Sequence, residues 1–250
     1  MSEVILPNNH LVGITETGDP FSNLDIFDNL YRANIIITKR LTDKLIDKLV
    51  EHKDKCILHL TCTGLGGSKL EPMVPTKEIT FEKFNKLIEK GFPVEQVVLR
   101  IDPIISTPKG MQTALDVIKL FKNSGITRIR YSSYDQYKHV VERFNEAGIP
   151  LPQKNFDAPK EDIILLSQYM FAASIVMGAE LEVCGEKNLP TTGCISQKDI
   201  DILGLTNEII LTGSADQRGS CLCPSNKRQL IKNKPSRCEN SCLYCFWRSK

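Results

Sequence analysis

The chain ends in three closely spaced cysteines, which are the residues best suited to chemistry. Cys238, Cys242 and Cys245 form a C-x-x-x-C-x-x-C motif, with Tyr244 directly before the last cysteine. Three thiolates at this spacing can bind three irons of a [4Fe–4S] cluster and leave the fourth iron without a protein ligand. A four-cysteine set or a structural zinc site would close the coordination sphere. The motif therefore predicts a cluster with an open iron; zinc and incidental cysteines are the alternatives.

A second set of cysteines lies upstream and consists of Cys184, Cys194, Cys221 and Cys223. Four thiolates are enough for an auxiliary iron–sulfur cluster or for a tetrahedral zinc ion. The sequence does not choose between these two metals, and unligated cysteines remain a third interpretation. Cys56 and Cys62 fall within a predicted strand, where a free cysteine usually packs as a small apolar residue. We therefore leave these two out of the predicted metal sites.

Composition narrows the classes of protein that the chain can represent. The 32 Lys and Arg residues nearly balance the 30 Asp and Glu residues, so no global charge points to nucleic acid or to a membrane surface. The start of the chain does not resemble a secretory signal, and the longest apolar run is too short to span a bilayer. Nine cysteines in such a chain favour metal binding over disulfides. We expect a cytoplasmic protein without a membrane partner.

Short apolar segments alternate with helical patterns along the chain, which predicts a parallel α/β fold. The predicted strands are residues 11–15, 34–38, 56–63, 96–101, 128–132, 181–184 and 208–211, and the predicted helices are residues 24–31, 42–51, 80–90, 110–123, 135–147 and 160–177. Their even spacing favours a full or partial (β/α) TIM-like barrel with its ligand groups at the C-terminal strand ends. We assign residues 1–212 to this barrel and residues 213–250 to a cysteine-rich iron–sulfur cluster segment packed on it.

Polar residues near the predicted strand ends are candidates for binding and catalysis. Arg100 and Asp102 share one face of a strand, so they form either an ion pair inside the barrel or a ligand contact. Glu182 precedes another strand end, and these three residues are the catalytic candidates. Gly64 begins a glycine-rich segment that follows a strand and that lacks the lysine of a phosphate-binding loop. We predict that this segment contacts a cofactor or a substrate.

The terminal cysteine spacing resembles the signature of the radical S-adenosylmethionine (SAM) enzymes. In that superfamily the open iron binds the amino and carboxylate groups of SAM, and an electron from the cluster cleaves SAM to methionine and a 5′-deoxyadenosyl radical. The resemblance implies a [4Fe–4S] cluster and SAM as cofactors. It also implies an external electron donor such as flavodoxin or ferredoxin. Tyr244 resembles the position of the superfamily that approaches the adenine.

The order of the motifs differs from that of ordinary radical SAM enzymes, whose cysteine loop follows the first strand and precedes a Gly-Gly-Glu-Pro-like motif. Here the cysteine loop is last, and the similar Thr17-Gly-Asp-Pro20 follows the first predicted strand. The resemblance therefore implies a circularly permuted barrel in which residues 209–211 lie beside residues 11–15. Gly18 and Asp19 would then hold the methionine ammonium of SAM. A plain strand-to-helix turn is the alternative.

Longer segments resemble an uncharacterised family, the domain of unknown function 1848: residues 60–75, 99–104, 184–186, 193–195 and 221–223. The resemblance brings no substrate with it. We expect a radical SAM enzyme, and we favour a small molecule or a peptide over nucleic acid as its substrate. The alternative is a non-catalytic zinc or iron–sulfur module that binds nucleic acid or a protein partner through the basic residues near the C-terminus, namely Lys227, Arg228, Lys232, Lys234, Arg237, Arg248 and Lys250.

Overall fold

Seven parallel strands form one sheet in the computed structural model, which describes residues 10–215, 220–232 and 238–248. The strands are β1 (Val12–Ile14), β2 (Ala33–Thr38), β3 (Cys56–Thr61), β4 (Val97–Ile104), β5 (Arg128–Ser133), β6 (Glu180–Val183) and β7 (Lys227–Gln229). Their order across the sheet is β6-β5-β4-β3-β2-β1-β7. Because all strands are parallel, their C-terminal ends lie along a single edge, where loops can gather ligand-binding groups.

The helices that flank the sheet are α1 (Asp43–Glu51), α2 (Lys77–Glu89), α3 (Pro108–Phe121), α4 (Lys138–Glu146), α5 (Lys160–Met177) and α6 (Gln197–Ile202). Local chemistry sets several of their ends. The Thr42 hydroxyl accepts a hydrogen bond from the backbone of Leu45 and begins α1. Gly178 ends α5 with a positive φ of 70°, a conformation that glycine adopts without a steric penalty.

The two faces of the sheet bury different sets of side chains. We call the face covered by α1, α2, α3 and α5 the outer face and the opposite face the inner face. On the outer face, Ile36, Leu58 and Leu99 pack in one core with residues of these four helices. On the inner face, apolar residues near the strand starts pack in a separate core that includes Ile200 of α6. Residues two positions apart point to the same side of a strand. The inner side chains of the sheet include the charged residues Arg100 and Asp102 of β4, Arg128 and Arg130 of β5, and Glu182 of β6.

A buried ion-pair network holds the inner face together. Arg128 donates to Glu182 at 2.9 Å and to Asp199 of α6 at 2.7 Å, and Arg130 also pairs with Glu182. Their side chains are at most 3% exposed. Because each charge has an oppositely charged partner, the network joins β5, β6 and α6 without an isolated buried charge.

The structure corrects the prediction for the last strand. Residues 208–211 were expected to lie beside β1 as a strand, but they form no strand, and β7 pairs with β1 in their place. Ile209 is buried and Ile210 is exposed, which imitates the alternation of a strand. The carbonyl of Ile210 accepts a hydrogen bond from the Asn226 side chain, so this segment supports the residue that precedes β7. Helix α6 was not predicted either.

The sheet is open, with β6 and β7 as its two edge strands. A closed barrel is therefore not confirmed, whereas the α/β class and the parallel sheet are. The segment after residue 212 adds β7 to the same sheet. Within the described residues, no helix is both long enough and apolar enough to cross a membrane.

Candidate functional site

A cavity of about 500 Å³ lies at the C-terminal ends of the strands. Residues at or just after the ends of β1 to β6 line it, among them Gly18, Lys39, Thr61, Asp102, Ser133 and Cys184. The cysteine loop, defined as residues 238–245, follows β7 and lines the same cavity with all three of its cysteines. The sheet therefore positions both predicted cysteine sets around one space.

The cysteine loop is held in shape by contacts with its surroundings. The Arg143 guanidinium of α4 donates to the carbonyl oxygen of Leu243 at 2.9 Å, and also to those of Cys245 and Arg248. The backbone N–H of Leu243 donates to the carbonyl of Leu70 at 2.9 Å. These contacts fix the backbone around the third cysteine, as a site with a set ligand geometry requires.

Asp19 connects the cysteine loop to the loop after β1. Its carboxylate accepts hydrogen bonds from the Asn240 side chain at 2.7 Å, the Thr38 hydroxyl at 2.6 Å and the backbone N–H of Lys39 at 2.8 Å. A further bond comes from the backbone of Phe21. Burial raises the pKa of Asp19, and these hydrogen bonds oppose that rise. The Asp19 side chain thus fastens three segments together and has little capacity left for a ligand.

A buried triad beside the cysteines was not predicted from the sequence. Lys39 Nζ donates to Glu71 at 2.9 Å and to the Tyr244 hydroxyl at 2.9 Å, and that hydroxyl donates to Glu71. Burial alone would lower the pKa of Lys39, but the charge of Glu71 and the hydrogen bond to it raise the pKa above its ordinary value. Lys39 is therefore positively charged next to the cysteine loop.

The thiol of Cys242 is buried beside Lys39. Burial raises its pKa to about 12, and the charge of Lys39 acts in the opposite direction. A buried thiol in this state is neutral at physiological pH, whereas a metal binds the thiolate. Lys39 is placed to stabilise the negative charge that a cluster on Cys242 would bring.

The predicted catalytic and glycine residues have different positions relative to the cavity. Arg100 and Asp102 line it and form the ion pair that the sequence suggested. Glu182 does not line it and is engaged by Arg128 and Arg130. Gly64 also lies outside the lining, where a Cβ would stand 2.6 Å from the Thr113 side chain of α3. Gly64 and Glu182 therefore support the walls and do not contact the cavity.

The second cysteine set is compact around Cys194. The Sγ atoms of Cys184 and Cys194 lie 3.7 Å apart, and the backbone N–H of Cys194 donates to Cys223 Sγ at 3.1 Å. Ligand atoms of Glu16, Cys194 and Cys223 all lie within 4.8 Å of one another. Cys184 and Cys221 line the cavity but are not in that group. Glu16 was not predicted, because only the fold brings the end of β1 to these cysteines.

Aromatic side chains from loops surround part of the cavity. The Phe246 ring lies 4.4 Å from the Tyr137 ring and 5.1 Å from the Trp247 ring, measured between centroids. All three residues line the cavity, and Phe246 and Trp247 are 45% and 39% exposed. The Tyr137 and Phe246 rings are inclined by 42° and the Phe246 and Trp247 rings by 66°, so the group offers an aromatic patch and not one flat face. The strand patterns did not predict this patch.

The basic residues near the C-terminus do not all face solvent. Lys227 is buried, and its Nζ donates to the Glu16 carboxylate at 3.0 and 3.1 Å. Arg248 donates to the carbonyl of Ser241 in the cysteine loop, whereas Arg228 and Lys232 are exposed. Lys234, Arg237 and Lys250 lie outside the described residues. Lys227 and Arg248 therefore support the cavity wall.

These features define an α/β protein with an open parallel sheet and a cysteine-lined cavity at the C-terminal ends of its strands. A family profile described as "Domain of unknown function (DUF1848)" matches residues 27–247, and the chain belongs to that family. No curated protein matches the chain.

Proposed function

We propose that the protein is a radical SAM enzyme whose [4Fe–4S] cluster is held by Cys238, Cys242 and Cys245. The observation that carries the proposal is the convergence of these cysteines with the Gly18–Asp19 loop on one cavity, fastened by the Asn240–Asp19 hydrogen bond. When bound and reduced, such a cluster supplies the electron that cleaves SAM.

The spacing of the thiols supports a cluster over a single ion. Among the described His, Cys, Asp and Glu side chains, the one group of three whose ligand atoms are all within 4.8 Å of one another is Glu16, Cys194 and Cys223. The three thiols of the cysteine loop are therefore spread more widely than the ligands of a single ion need. Thiolates on a cubane bind different irons and stand farther apart than ligands of one ion, which supports the cluster over a single ion in this proposal.

The surrounding side chains have distinct roles in this proposal. Lys39 stabilises the negative charge at Cys242, and Glu71 and the Tyr244 hydroxyl hold Lys39 in place. Because the Asp19 carboxylate is occupied by loop contacts, we assign the SAM ammonium to backbone carbonyls near Gly18 and not to that side chain. The Tyr244 ring stays the candidate for the adenine.

The permuted relationship to the radical SAM fold is part of the proposal. The cysteine loop follows β7 in the sequence, and Thr17-Gly-Asp-Pro20 follows the neighbouring strand, β1. When the two strands are read from β7 to β1, the cysteine loop therefore comes before the Gly-Asp-Pro segment. This is the order that ordinary members keep along their sequence. This order favours a partial barrel that is circularly permuted relative to the ordinary members.

A cavity of about 500 Å³ falls within the usual range of small-molecule sites, which favours a small substrate or a peptide end over nucleic acid. The Arg100–Asp102 pair and the aromatic group of Tyr137, Phe246 and Trp247 are the candidates for contacting that substrate. The proposal also includes an external electron donor such as flavodoxin or ferredoxin, and the reducing cytoplasm as its location.

The proposal is tested by electron paramagnetic resonance of the protein reconstituted with iron and sulfide under anaerobic conditions. We expect a reduced cubane signal that changes when SAM is added, because SAM binds the open iron. The same titration is repeated with S-adenosylhomocysteine, which lacks the methyl group but keeps both chelating groups, and its effect on the cluster signal is compared with that of SAM. A cluster signal that stays the same at saturating SAM would contradict the open iron.

A further inference from the structure

We propose that Glu16, Cys194 and Cys223, whose ligand atoms lie within 4.8 Å of one another, bind a single metal ion, with zinc as the expected metal. Cys184 lies outside that group, with its Sγ 3.7 Å from that of Cys194, and turns its thiol towards the ion as the fourth ligand. This site is separate from the three cysteines of the terminal loop and does not depend on the radical SAM proposal. It selects one of the interpretations that the sequence left open for the second cysteine set. It also replaces Cys221 by a carboxylate that the sequence did not indicate.

The distance between two thiols favours one ion over a second cluster. With zinc–sulfur bonds of about 2.3 Å, two thiolates on one tetrahedral ion lie about 3.8 Å apart. The Sγ atoms of Cys184 and Cys194 are 3.7 Å apart. In a cubane these two sulfurs would bind different irons and stand farther apart. The observed separation therefore matches one edge of a tetrahedron around a single ion.

The backbone is shaped to bring the cysteine segments together. A Cβ at Gly193 would lie 2.6 Å from the carbonyl oxygen of Leu222, so only glycine allows the two segments to approach this closely. The approach lets the N–H of Cys194 donate to Cys223 Sγ at 3.1 Å. Such N–H donors stabilise the negative charge of a metal-bound thiolate.

The carboxylate ligand is oriented by the edge strand β7. Lys227 Nζ donates to the Glu16 carboxylate at 3.0 Å, and Gln229 Nε2 donates to the same group at 2.7 Å. Outer contacts of this kind fix the direction in which a ligating carboxylate points. Three thiolates and one carboxylate leave an excess of negative charge around a divalent ion, and the buried Lys227 ammonium offsets part of it.

The positions of the four ligands give the ion a structural role. Cys184 directly follows β6, which is one edge of the sheet, whereas Glu16 follows β1 beside the opposite edge strand, β7. The ion would therefore connect the two ends of the open sheet and complete the cavity wall between them. Its loss should lower the melting temperature of the protein.

The test is metal analysis of protein purified without oxygen, both as wild type and as the Cys242→Ala variant. We expect about one zinc per chain in both proteins, a value that does not depend on the terminal cluster. Cys194→Ser and Cys223→Ser should lose the zinc. Glu16→Gln should weaken zinc retention against a chelator by at least the roughly 10–100-fold that loss of an outer-shell partner costs.

The matched control is Cys221→Ser, which removes a cavity cysteine outside the group of Glu16, Cys194 and Cys223 and should keep its zinc. Cys184 is outside that group as well, but its Sγ contacts that of Cys194. Zinc loss in Cys221→Ser together with retention in Glu16→Gln would overturn the assignment of the carboxylate ligand. About four irons in place of zinc in Cys242→Ala would overturn the single-ion site in favour of a cluster. If the variants do not fold, the rate of alkylation of Cys194 in the wild-type protein tests the site instead. Added zinc should slow this alkylation, and an unchanged rate would contradict the proposal.

Discussion

Replacing Cys242 by alanine is expected to abolish 5′-deoxyadenosine formation from SAM and to remove the cubane iron. Cys242 is buried, lines the cavity and interacts electrostatically with Lys39. Loss of one of three thiolates leaves two irons without a protein ligand. The measurement is iron and sulfide content after anaerobic reconstitution, followed by chromatography of the SAM products.

The matched control is Cys56→Ala, which removes a buried thiol from β3 in the outer core. Burial raises the pKa of Cys56 to about 12, and this residue does not line the cavity. Its replacement should lower stability through packing alone and leave the iron content unchanged. Equal iron loss in both variants would show that folding, and not ligation, explains the effect at Cys242.

Replacing Glu182 by alanine is expected to lower the free energy of unfolding by about 3–5 kcal/mol, because it leaves two buried arginines without this partner. Arg128 keeps Asp199, whereas Arg130 loses the only ion pair that the described residues give it. Such a loss would support a structural role for Glu182, which pairs with Arg128 and Arg130 and does not line the cavity. Denaturant unfolding monitored by circular dichroism gives the change.

Glu180→Ala is the control for this prediction, since Glu180 lies on the same strand and also forms an ion pair. Its partner is Lys198, and the two side chains are 54% and 45% exposed. Exposed pairs contribute about 0–1 kcal/mol, so the free energy of unfolding should barely change. A loss at Glu182 no larger than the loss at Glu180 would contradict the buried network.

Local sequence patterns predicted the parts of the fold that local chemistry determines. Six strands were recognised because short apolar runs, many of them β-branched, suit strands buried on both faces. β7 was missed because Lys227-Arg-Gln229 is polar and its burial comes from the Glu16 ion pair, a contact between distant parts of the chain. The wrong strand at residues 208–211 had the expected alternation but no strand partner.

The same distinction applies to the candidate site. The three cysteines of the terminal loop could be recognised from their spacing, since they are neighbours in the sequence. Lys39 and Glu71 could not, because they come from separate loops and meet only above the strand ends. Asp19 was predicted to hold SAM, and that role stays a prediction; the residue lines the cavity, and the donors that occupy its carboxylate include Thr38 of β2 and Asn240 of the cysteine loop.

The most direct test of the central claim is the formation of 5′-deoxyadenosine by wild-type protein. The protein is reconstituted with iron and sulfide without oxygen, reduced with dithionite and incubated with SAM, and the products are separated by chromatography. The account predicts 5′-deoxyadenosine and methionine in equal amounts, formed only when both the reductant and the cluster are present. Reduced protein with about four irons per chain and no 5′-deoxyadenosine after prolonged incubation would contradict it.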